Sequence, residues 1–210
     1  MPIEYKSIRT KMSNEIIEKK SRFIADAGIV TCEDEARMFL DEVKTHYREA
    51  SHHTYAYVIG KKAPSARYSD DGEPHGTAGL PLLDVLNANG LTNTIIVVTR
   101  YFGGTKLGTG GLVRAYTKSA SACLAIAGIT RYIPGEIIRI TIDYHYLGKI
   151  KNHLEKCGYE VLNEEYASHV IINTLIPDTE SDSLKTKITD LTNAAAKIEK
   201  AGERYIEAEE

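Results

Sequence analysis

Tryptophan is absent from this 210-residue sequence, and cysteine is scarce. The three cysteines, Cys32, Cys123 and Cys157, are an odd number, lie far apart and include no CxxC pair. A disulfide framework needs a dense, even set of cysteines, and a structural zinc site needs closely spaced ones. We therefore expect neither feature, and we expect a reducing cytoplasm as the compartment.

Long apolar runs are also missing. No stretch reaches the roughly 18 residues that a membrane-spanning helix needs. Charged residues interrupt the first 20 positions, where a signal peptide would have an apolar core. We therefore expect no membrane partner. The composition, 42% hydrophobic and 26% charged, is that of a globular chain, and a formal net charge of −3 excludes a globally basic protein that coats nucleic acid.

Charge is distributed unevenly along the chain. Residues 1–135 hold 17 basic and 14 acidic side chains, whereas residues 136–210 hold 9 basic and 15 acidic ones. No acidic residue occurs from position 85 to position 135. The basic residues of that stretch are Arg100, Lys106, Arg114, Lys118 and Arg131. Buried elements are often poor in acids, but this clustering also predicts a local positive patch.

The first half is predicted to combine strands and helices. Apolar and β-branched runs predict strands at 21–30, 53–59 and 94–99, the last buried on both faces. Apolar residues at helical spacing predict helices at 33–48, 80–88 and 112–127. Between these elements, residues 61–76 are predicted to form a polar loop.

The second half has a simpler pattern. Strands are predicted at 136–144, 159–165, 169–176 and 197–206, and helices at 146–156 and 181–195. This order is βαββαβ, the ferredoxin-like split unit. The Pro134–Gly135 pair is predicted to break regular structure between the halves. The expected fold class is therefore α+β with two domains, residues 1–135 and residues 136–210.

A glycine-rich segment joins the strand at 94–99 to the helix at 112–127. Glycine lets backbone amides approach an anion closely, and a helix N-terminus adds a favourable dipole. The segment matches neither a Walker motif nor GxGxxG. An alternative stays open, in which the glycines only turn the chain tightly. The candidate residues of a nucleic-acid or anion site are Arg100, Lys106, Gly108, Gly110, Gly111, Arg114 and Lys118.

Acidic residues concentrate in an earlier loop, where Asp70, Asp71 and Glu73 are followed by His75. Such groups can support an anion site, act in acid–base chemistry or bind a metal. The same residues are also ordinary turn formers. No spacing typical of metal ligands is recognisable, so we predict neither a metal site nor a catalytic residue here.

Two further interpretations concern neighbours of that loop. Asp70 or Glu73 could simply pair with Arg100 or Arg114, and a paired arginine is a poorer phosphate ligand. The adjacent His52 and His53 would face opposite sides of a strand, which disfavours a shared metal ion.

Taken together, these segments resemble the YigZ/IMPACT family in its bacterial branch. The resemblance covers residues 15–130, and its most specific part is the glycine-rich segment. His75 departs from the small residue expected at its position. The matching segments are Ser21–Ile24, Asp70–Pro74, Gly76–Pro81 and Val98–Gly108.

The resemblance implies a fold and a field of action. The N-terminal domain would have the ribosomal protein S5 domain 2-like fold, and the C-terminal domain would be similar to domain V of elongation factor G. That likeness to a ribosome-acting factor is an analogy between folds. Eukaryotic relatives are linked to translational control, but they use a eukaryotic protein partner and an additional domain, so their role does not carry over intact.

The leading hypothesis is a non-enzymatic RNA- or ribosome-binding protein with a role in translation or its regulation. The phosphate backbone would contact the basic, glycine-rich segment, and no cofactor is expected. One alternative is a regulator that acts through a protein partner. A second is an enzyme that binds a nucleotide or phosphate at the same segment, with magnesium held by Asp70, Asp71 or Glu73.

Overall fold

The computed structural model describes residues 3–208. Its backbone contacts divide the chain into two compact units. The first comprises Tyr5–Arg131, and the second comprises Tyr132–Ala208 together with residues 3–4. Both units combine helices with antiparallel strands, which confirms the predicted α+β class with two domains.

The first unit is built on a five-stranded antiparallel sheet. Its strands lie in the spatial order β2-β3-β6-β4-β5, and three helices connect them. A short strand, β1, comes before these five strands in the chain. It pairs with the strand Ile129–Ile142, which begins at the end of this unit. The elements are β1 (Tyr5–Ile8), β2 (Met12–Glu18), β3 (Ser21–Ile29), α1 (Glu33–His46), β4 (His52–Ile59), β5 (Ser65–Ser69), α2 (Gly79–Ala88), β6 (Thr94–Tyr101) and α3 (Thr109–Ala127).

Helices cover both faces of this sheet. Strand β6 is central, and its side chains alternate between two cores, as side chains on a strand must. Ile95 and Val97 pack with the buried face of α1, whereas Ile96 and Val98 pack with α2 and α3. The continuous apolar run of β6 is therefore explained by burial on both sides, which confirms that prediction.

Three local predictions for this unit were wrong or incomplete. Residues 61–76 are not all loop, because they contain β5, an edge strand whose side chains are mostly exposed and so lack apolar alternation. Strands β1 and β2 were not predicted. Helix α3 begins at Thr109, three residues before the predicted start, since the glycines at 110 and 111 are helical.

The second unit has the predicted βαββαβ order. Its sheet has β7 and β9 at the centre, in the order β10-β7-β9-β8, and both helices pack on one apolar core. Isoleucines at alternate positions of β7, Ile138, Ile140 and Ile142, are fully buried there. The elements are β7 (Ile129–Ile142), α4 (Leu147–Lys156), β8 (Glu160–Tyr166), β9 (Val170–Pro177), α5 (Ser181–Leu191) and β10 (Lys197–Ala208).

The Pro134–Gly135 pair does not break the chain, so that prediction was wrong. Strand β7 passes through both residues. Proline lacks an N–H donor, but the ladder with β9 begins only at Gly135, so Pro134 removes no hydrogen bond from it. A Cβ at Gly135 would lie 2.7 Å from the carbonyl oxygen of Arg204, so this position requires glycine for close strand packing.

Helix α5 ends four residues before the predicted end. It stops at Leu191, and Asn193 and Ala194 both have positive φ angles, which no helix accommodates. Within residues 3–208, no helix is both long enough and apolar enough to cross a membrane.

Candidate functional site

The glycine-rich segment connects β6 to α3, and close packing explains part of its glycine content. A Cβ at Gly103 would lie 2.0 Å from the carbonyl carbon of Lys20, which no real contact allows. The Gly103 N–H donates to the Ser21 hydroxyl over 3.1 Å, so the loop is held against the start of β3. Gly103 therefore serves the fold, as the tight-turn alternative proposes.

The start of α3 has a different character. Gly108 and Gly110 are exposed, and the first turn of the helix contains no acidic residue. Within the described chain, no side chain caps this helix N-terminus. Its free amides and the helix dipole together favour a bound anion. The N-terminus of this 19-residue helix is therefore uncapped and accessible to solvent.

Cationic side chains surround the first turns of α3. Arg114 and Lys118 lie on one face of the helix and line a cavity of about 260 Å³, together with Gly111 and with Glu18 and Lys19 from the end of β2 and the following turn. The Lys118 ammonium donates to Glu18 over 2.5 Å. Ion pairs as exposed as this one contribute little stability, so Lys118 can exchange Glu18 for another anion.

Two cations of this region have no acidic partner. Arg114 and Lys106 are exposed, and neither forms an ion pair with any carboxylate in the part of the chain that the structure describes. Arg114 therefore presents a solvated guanidinium beside the cavity, available for bidentate contacts to a phosphate.

Arg100 occupies a different environment from the other candidates. Its side chain is only 7% exposed, and its Nη1 donates to Glu73 Oε1 over 2.6 Å. The guanidinium also lies over the rings of Phe23 and Phe102, at 5.4 Å and 5.6 Å from their centroids. A buried guanidinium that is already paired with a carboxylate is a poor phosphate ligand, so the structure separates Arg100 from the exposed cations.

The Glu73 carboxylate also accepts a hydrogen bond from the Tyr116 hydroxyl over 2.7 Å. Burial first, and the neighbouring Glu73 second, raise the pKa of the Tyr116 phenol well above its ordinary value, so it stays a donor. One carboxylate thus joins the loop before α2 to β6 through Arg100 and to α3 through Tyr116. These contacts stabilise the fold. Of the pairings that the sequence left open, the structure shows the one between Glu73 and Arg100.

Asp70 caps α2. Its carboxylate accepts three backbone N–H groups, from Gly76, Ala78 and Gly79, at 2.8 to 3.0 Å. Burial acts to raise the pKa of Asp70, but these three hydrogen bonds outweigh it and leave the pKa below its usual value. His75 lies 3.7 Å from the same carboxylate, and its side chain is 95% exposed. Its departure from the family pattern therefore disturbs no packing.

Asp71 ties the same loop to β4. Its carboxylate accepts the N–H of His53 over 2.6 Å, and its carbonyl oxygen lies 2.8 Å from Nδ1 of His52. All three acids of the loop therefore have structural partners. Among residues 3–208, no cluster of three or more His, Cys, Asp or Glu side chains could hold a metal ion.

Sequence reasoning missed two members of these groups. Tyr116 was not singled out, because nothing in a lone helical tyrosine indicates a buried carboxylate 43 residues away. Lys19 was also missed, although a turn between two strands that ends beside the glycine-rich segment brings it to the α3 cavity.

Comparisons with known proteins agree with this architecture. Residues 19–124 match the family model described as the Impact N-terminal domain, and residues 140–195 match a domain of unknown function, DUF1949. The chain is similar to the IMPACT family member YvyE of Bacillus subtilis (strain 168), with 38% identity over 97% of this chain and 94% of that protein.

Two further similarities extend over most of the chain. The IMPACT family member YigZ of Escherichia coli (strain K12) is 33% identical over 86% of this chain and 89% of its own length. A crystal structure described as that of a hypothetical protein is 30% identical, covers 94% of this chain and 97% of its own, and superposes with a TM-score of 0.63. The first-unit match and the full-length relatives lead to one conclusion: this chain belongs to the IMPACT family.

Proposed function

We propose that this protein regulates translation by binding RNA, free or within the ribosome, through the exposed cations at the start of α3. We call this region the α3 cationic surface and define it by Lys19, Lys106, Arg114, Lys118 and the amides of residues 108–111. The observation that carries the proposal is the unpaired, exposed Arg114 beside an uncapped helix N-terminus.

The chemistry of the α3 cationic surface suits a phosphate backbone. Guanidinium, ammonium and free amide groups are the donors that proteins use for phosphates, and they carry no sequence information by themselves. Such contacts give affinity that falls steeply with salt, because each neutralised phosphate releases counterions. No acidic residue occurs from position 85 to position 135, so no carboxylate of that segment competes with a phosphate for these cations.

Family membership supports the translational part of the proposal. The resemblance described above links eukaryotic members of the family to translational control. The second unit has an excess of acidic residues, 15 against 9 basic ones over residues 136–210, so it would repel a phosphate backbone. In this proposal the first unit binds RNA, and the second unit meets a basic protein surface.

The test is binding of the full chain to a short structured RNA, measured by fluorescence anisotropy over a salt series. The variant Lys106→Ala/Arg114→Ala removes two positive charges from the α3 cationic surface. A matched control, Lys44→Ala/Lys62→Ala, removes two exposed positive charges elsewhere in the same unit. Circular dichroism establishes that all three proteins are folded.

The expected result is salt-sensitive binding that the first variant weakens at least tenfold and the control leaves within about twofold. The slope of log affinity against log salt is negative, and its magnitude should decrease by about 1.5 in the first variant, since two phosphate contacts are lost. Equal affinities in both variants, or no binding at low salt, would overturn the proposal and favour a protein partner.

A further inference from the structure

A second cavity lies on the opposite face of the sheet in the first unit, away from α3. Its volume is about 720 Å³, within the range of sites that hold small organic molecules. Strands β2 and β3 form one wall, and the last turns of α1 form the other. The wall residues that the argument uses are Lys11, Ser13, Asp26, Phe39, Glu42 and Tyr47.

The distinctive group of this cavity is Asp26. Ser13 and Asp26 are directly opposite in the β2–β3 ladder, and both line the cavity across from α1. Its Oδ2 is shielded from solvent and has no hydrogen-bond partner anywhere in residues 3–208. A buried carboxylate oxygen without a donor is costly, and such groups concentrate where a ligand supplies the donor.

The other groups around Asp26 do not neutralise it. The ammonium of Lys11 lies 5.3 Å above the Phe39 ring instead of pairing with Asp26. Glu42 of α1 adds a second negative charge, and His46 and Tyr47 are the other titratable groups at this wall. Burial is the main cause that raises the pKa of Asp26, with the Ser13 hydroxyl and His46 acting against it and Glu42 adding to it.

Two aromatic rings, those of Phe39 and Tyr47, also line the cavity. The Phe39 ring packs so closely on β3 that a Cβ at Gly28 would lie 2.4 Å from it, which fixes the position of that wall. Tyr47 lines the cavity from the end of α1. The Lys11 ammonium already lies over the Phe39 ring, so the groups that favour a cation over a neutral or anionic molecule are the carboxylates of Asp26 and Glu42, and the rings offer apolar contact.

From this geometry we propose that the cavity binds a small organic amine, with the ammonium group donating to Asp26 and the apolar body lying against Phe39 and Tyr47. The site is separate from the α3 cationic surface, whose charge would repel the same ligand. The carboxylate torsion of an aspartate is broad and two-fold, so either oxygen can turn toward the incoming donor without movement of the backbone.

The experiment uses phenethylamine as the probe and 2-phenylethanol as its neutral counterpart of similar shape. Binding to the full chain at pH 7 is followed by thermal stability and by backbone NMR shifts. The amine should raise Tm, because it binds only the folded state. It should also shift the amides of residues 11–13, 26–27 and 42–47. The alcohol should do neither at the same concentration.

Two variants separate a binding role of Asp26 from a structural one. Asp26→Asn should weaken amine binding at least tenfold, whereas Asp41→Asn, which removes an exposed acid of α1 outside the cavity, should leave it within twofold. Without ligand, Asp26→Asn should raise Tm at pH 7, because the raised pKa means that folding disfavours the ionised carboxylate.

Four results would each overturn the proposal. The first is the absence of any Tm or NMR response to 10 mM amine, and the second is an equal response to the alcohol. The third is NMR shifts that map outside the cavity, a readout that does not depend on whether Asp26→Asn folds. A lower Tm of ligand-free Asp26→Asn would instead assign Asp26 a structural role and would equally overturn it.

Discussion

Arg100 and Glu73 form an ion pair in the interior of the first unit, with side chains 7% and 3% exposed and 2.6 Å between the paired atoms. The arginine comes from the central strand β6, and the glutamate comes from the loop before α2. The phenol of Tyr116 on α3 donates to the same carboxylate oxygen. The Glu73 carboxylate therefore holds these three elements together, and Arg100, already paired with it, leaves anion binding to its exposed neighbours.

The first prediction concerns this pair. Glu73→Gln leaves a buried guanidinium without a counter-charge, and it should lower the free energy of unfolding by about 3 kcal/mol. Circular dichroism in a urea series measures that loss. Glu18→Gln is the matched control, because it breaks the exposed pair with Lys118 and should cost no more than about 1 kcal/mol. Equal costs for the two variants would contradict the structural role of Glu73.

The second prediction concerns Asp70, which accepts three N–H groups ahead of α2. Asp70→Ala should lower the free energy of unfolding by about 1 to 2 kcal/mol at pH 7, comparable to the loss of a side chain that accepts N–H groups at a helix start. Since the pKa of Asp70 is lowered in the folded state, its stabilising effect is fully present above pH 3.8 and is lost as the pH falls through the folded-state value. The difference in free energy of unfolding between wild type and Asp70→Ala should therefore become smaller below pH 3.8.

Urea unfolding of both proteins at a series of pH values tests this dependence. Asp84→Ala is the control, because Asp84 is exposed on α2 itself and does not cap it. Asp84→Ala should change the free energy of unfolding only slightly at every pH. If the cost of Asp70→Ala stays constant down to pH 2, the ionised carboxylate is not what stabilises the loop.

Part of this structure follows directly from the sequence, and the reasons differ from element to element. The apolar run of β6 and the alternating isoleucines of β7 predict strands because burial on two faces or one leaves a periodic pattern. Strand β5 leaves no such pattern, because its side chains are exposed at the sheet edge. Local composition also indicated a break at Pro134, but the pairing that tolerates this proline is set by strands distant in sequence.

The candidate sites show the same division. The cations near the glycine-rich segment are visible in the sequence, and Lys106 and Arg114 are indeed exposed. Whether a given arginine is free depends on long-range packing, and Glu73 lies 27 residues before Arg100. The cavity at Asp26 was not predicted at all. A lone aspartate in a strand looks like an exposed residue until the helix that covers it is placed.

The third prediction contrasts two glycines of the same segment. Gly103→Ala should lower the free energy of unfolding by about 2 kcal/mol or more, because its Cβ would lie 2.0 Å from backbone atoms that cannot move independently. Gly110→Ala should raise it by about 0.5 kcal/mol. Gly110 is helical, its φ is negative, and a Cβ there would meet nothing within 4 Å in the described chain.

Urea denaturation compares the two variants with wild type. A destabilised Gly110→Ala protein would show that the first turn of α3 is not helical in solution. An unaffected Gly103→Ala protein would show that the loop is not held against Lys20. Either result would require a different path for the glycine-rich segment.

The last prediction uses the stabilised variant to test the α3 cationic surface. If the amides at the start of α3 approach a phosphate, a methyl group at Gly110 obstructs that approach while the fold becomes more stable. RNA affinity of Gly110→Ala should therefore fall several-fold even as its unfolding midpoint rises. Gly148→Ala is the control for RNA binding, because it adds a methyl group to an exposed helical glycine of α4 where a Cβ also meets nothing within 4 Å in the described chain. Unchanged affinity in Gly110→Ala would limit RNA contact to the cationic side chains. A loss of affinity would instead place the phosphate at these amides, because lost binding in a more stable protein cannot be a consequence of unfolding.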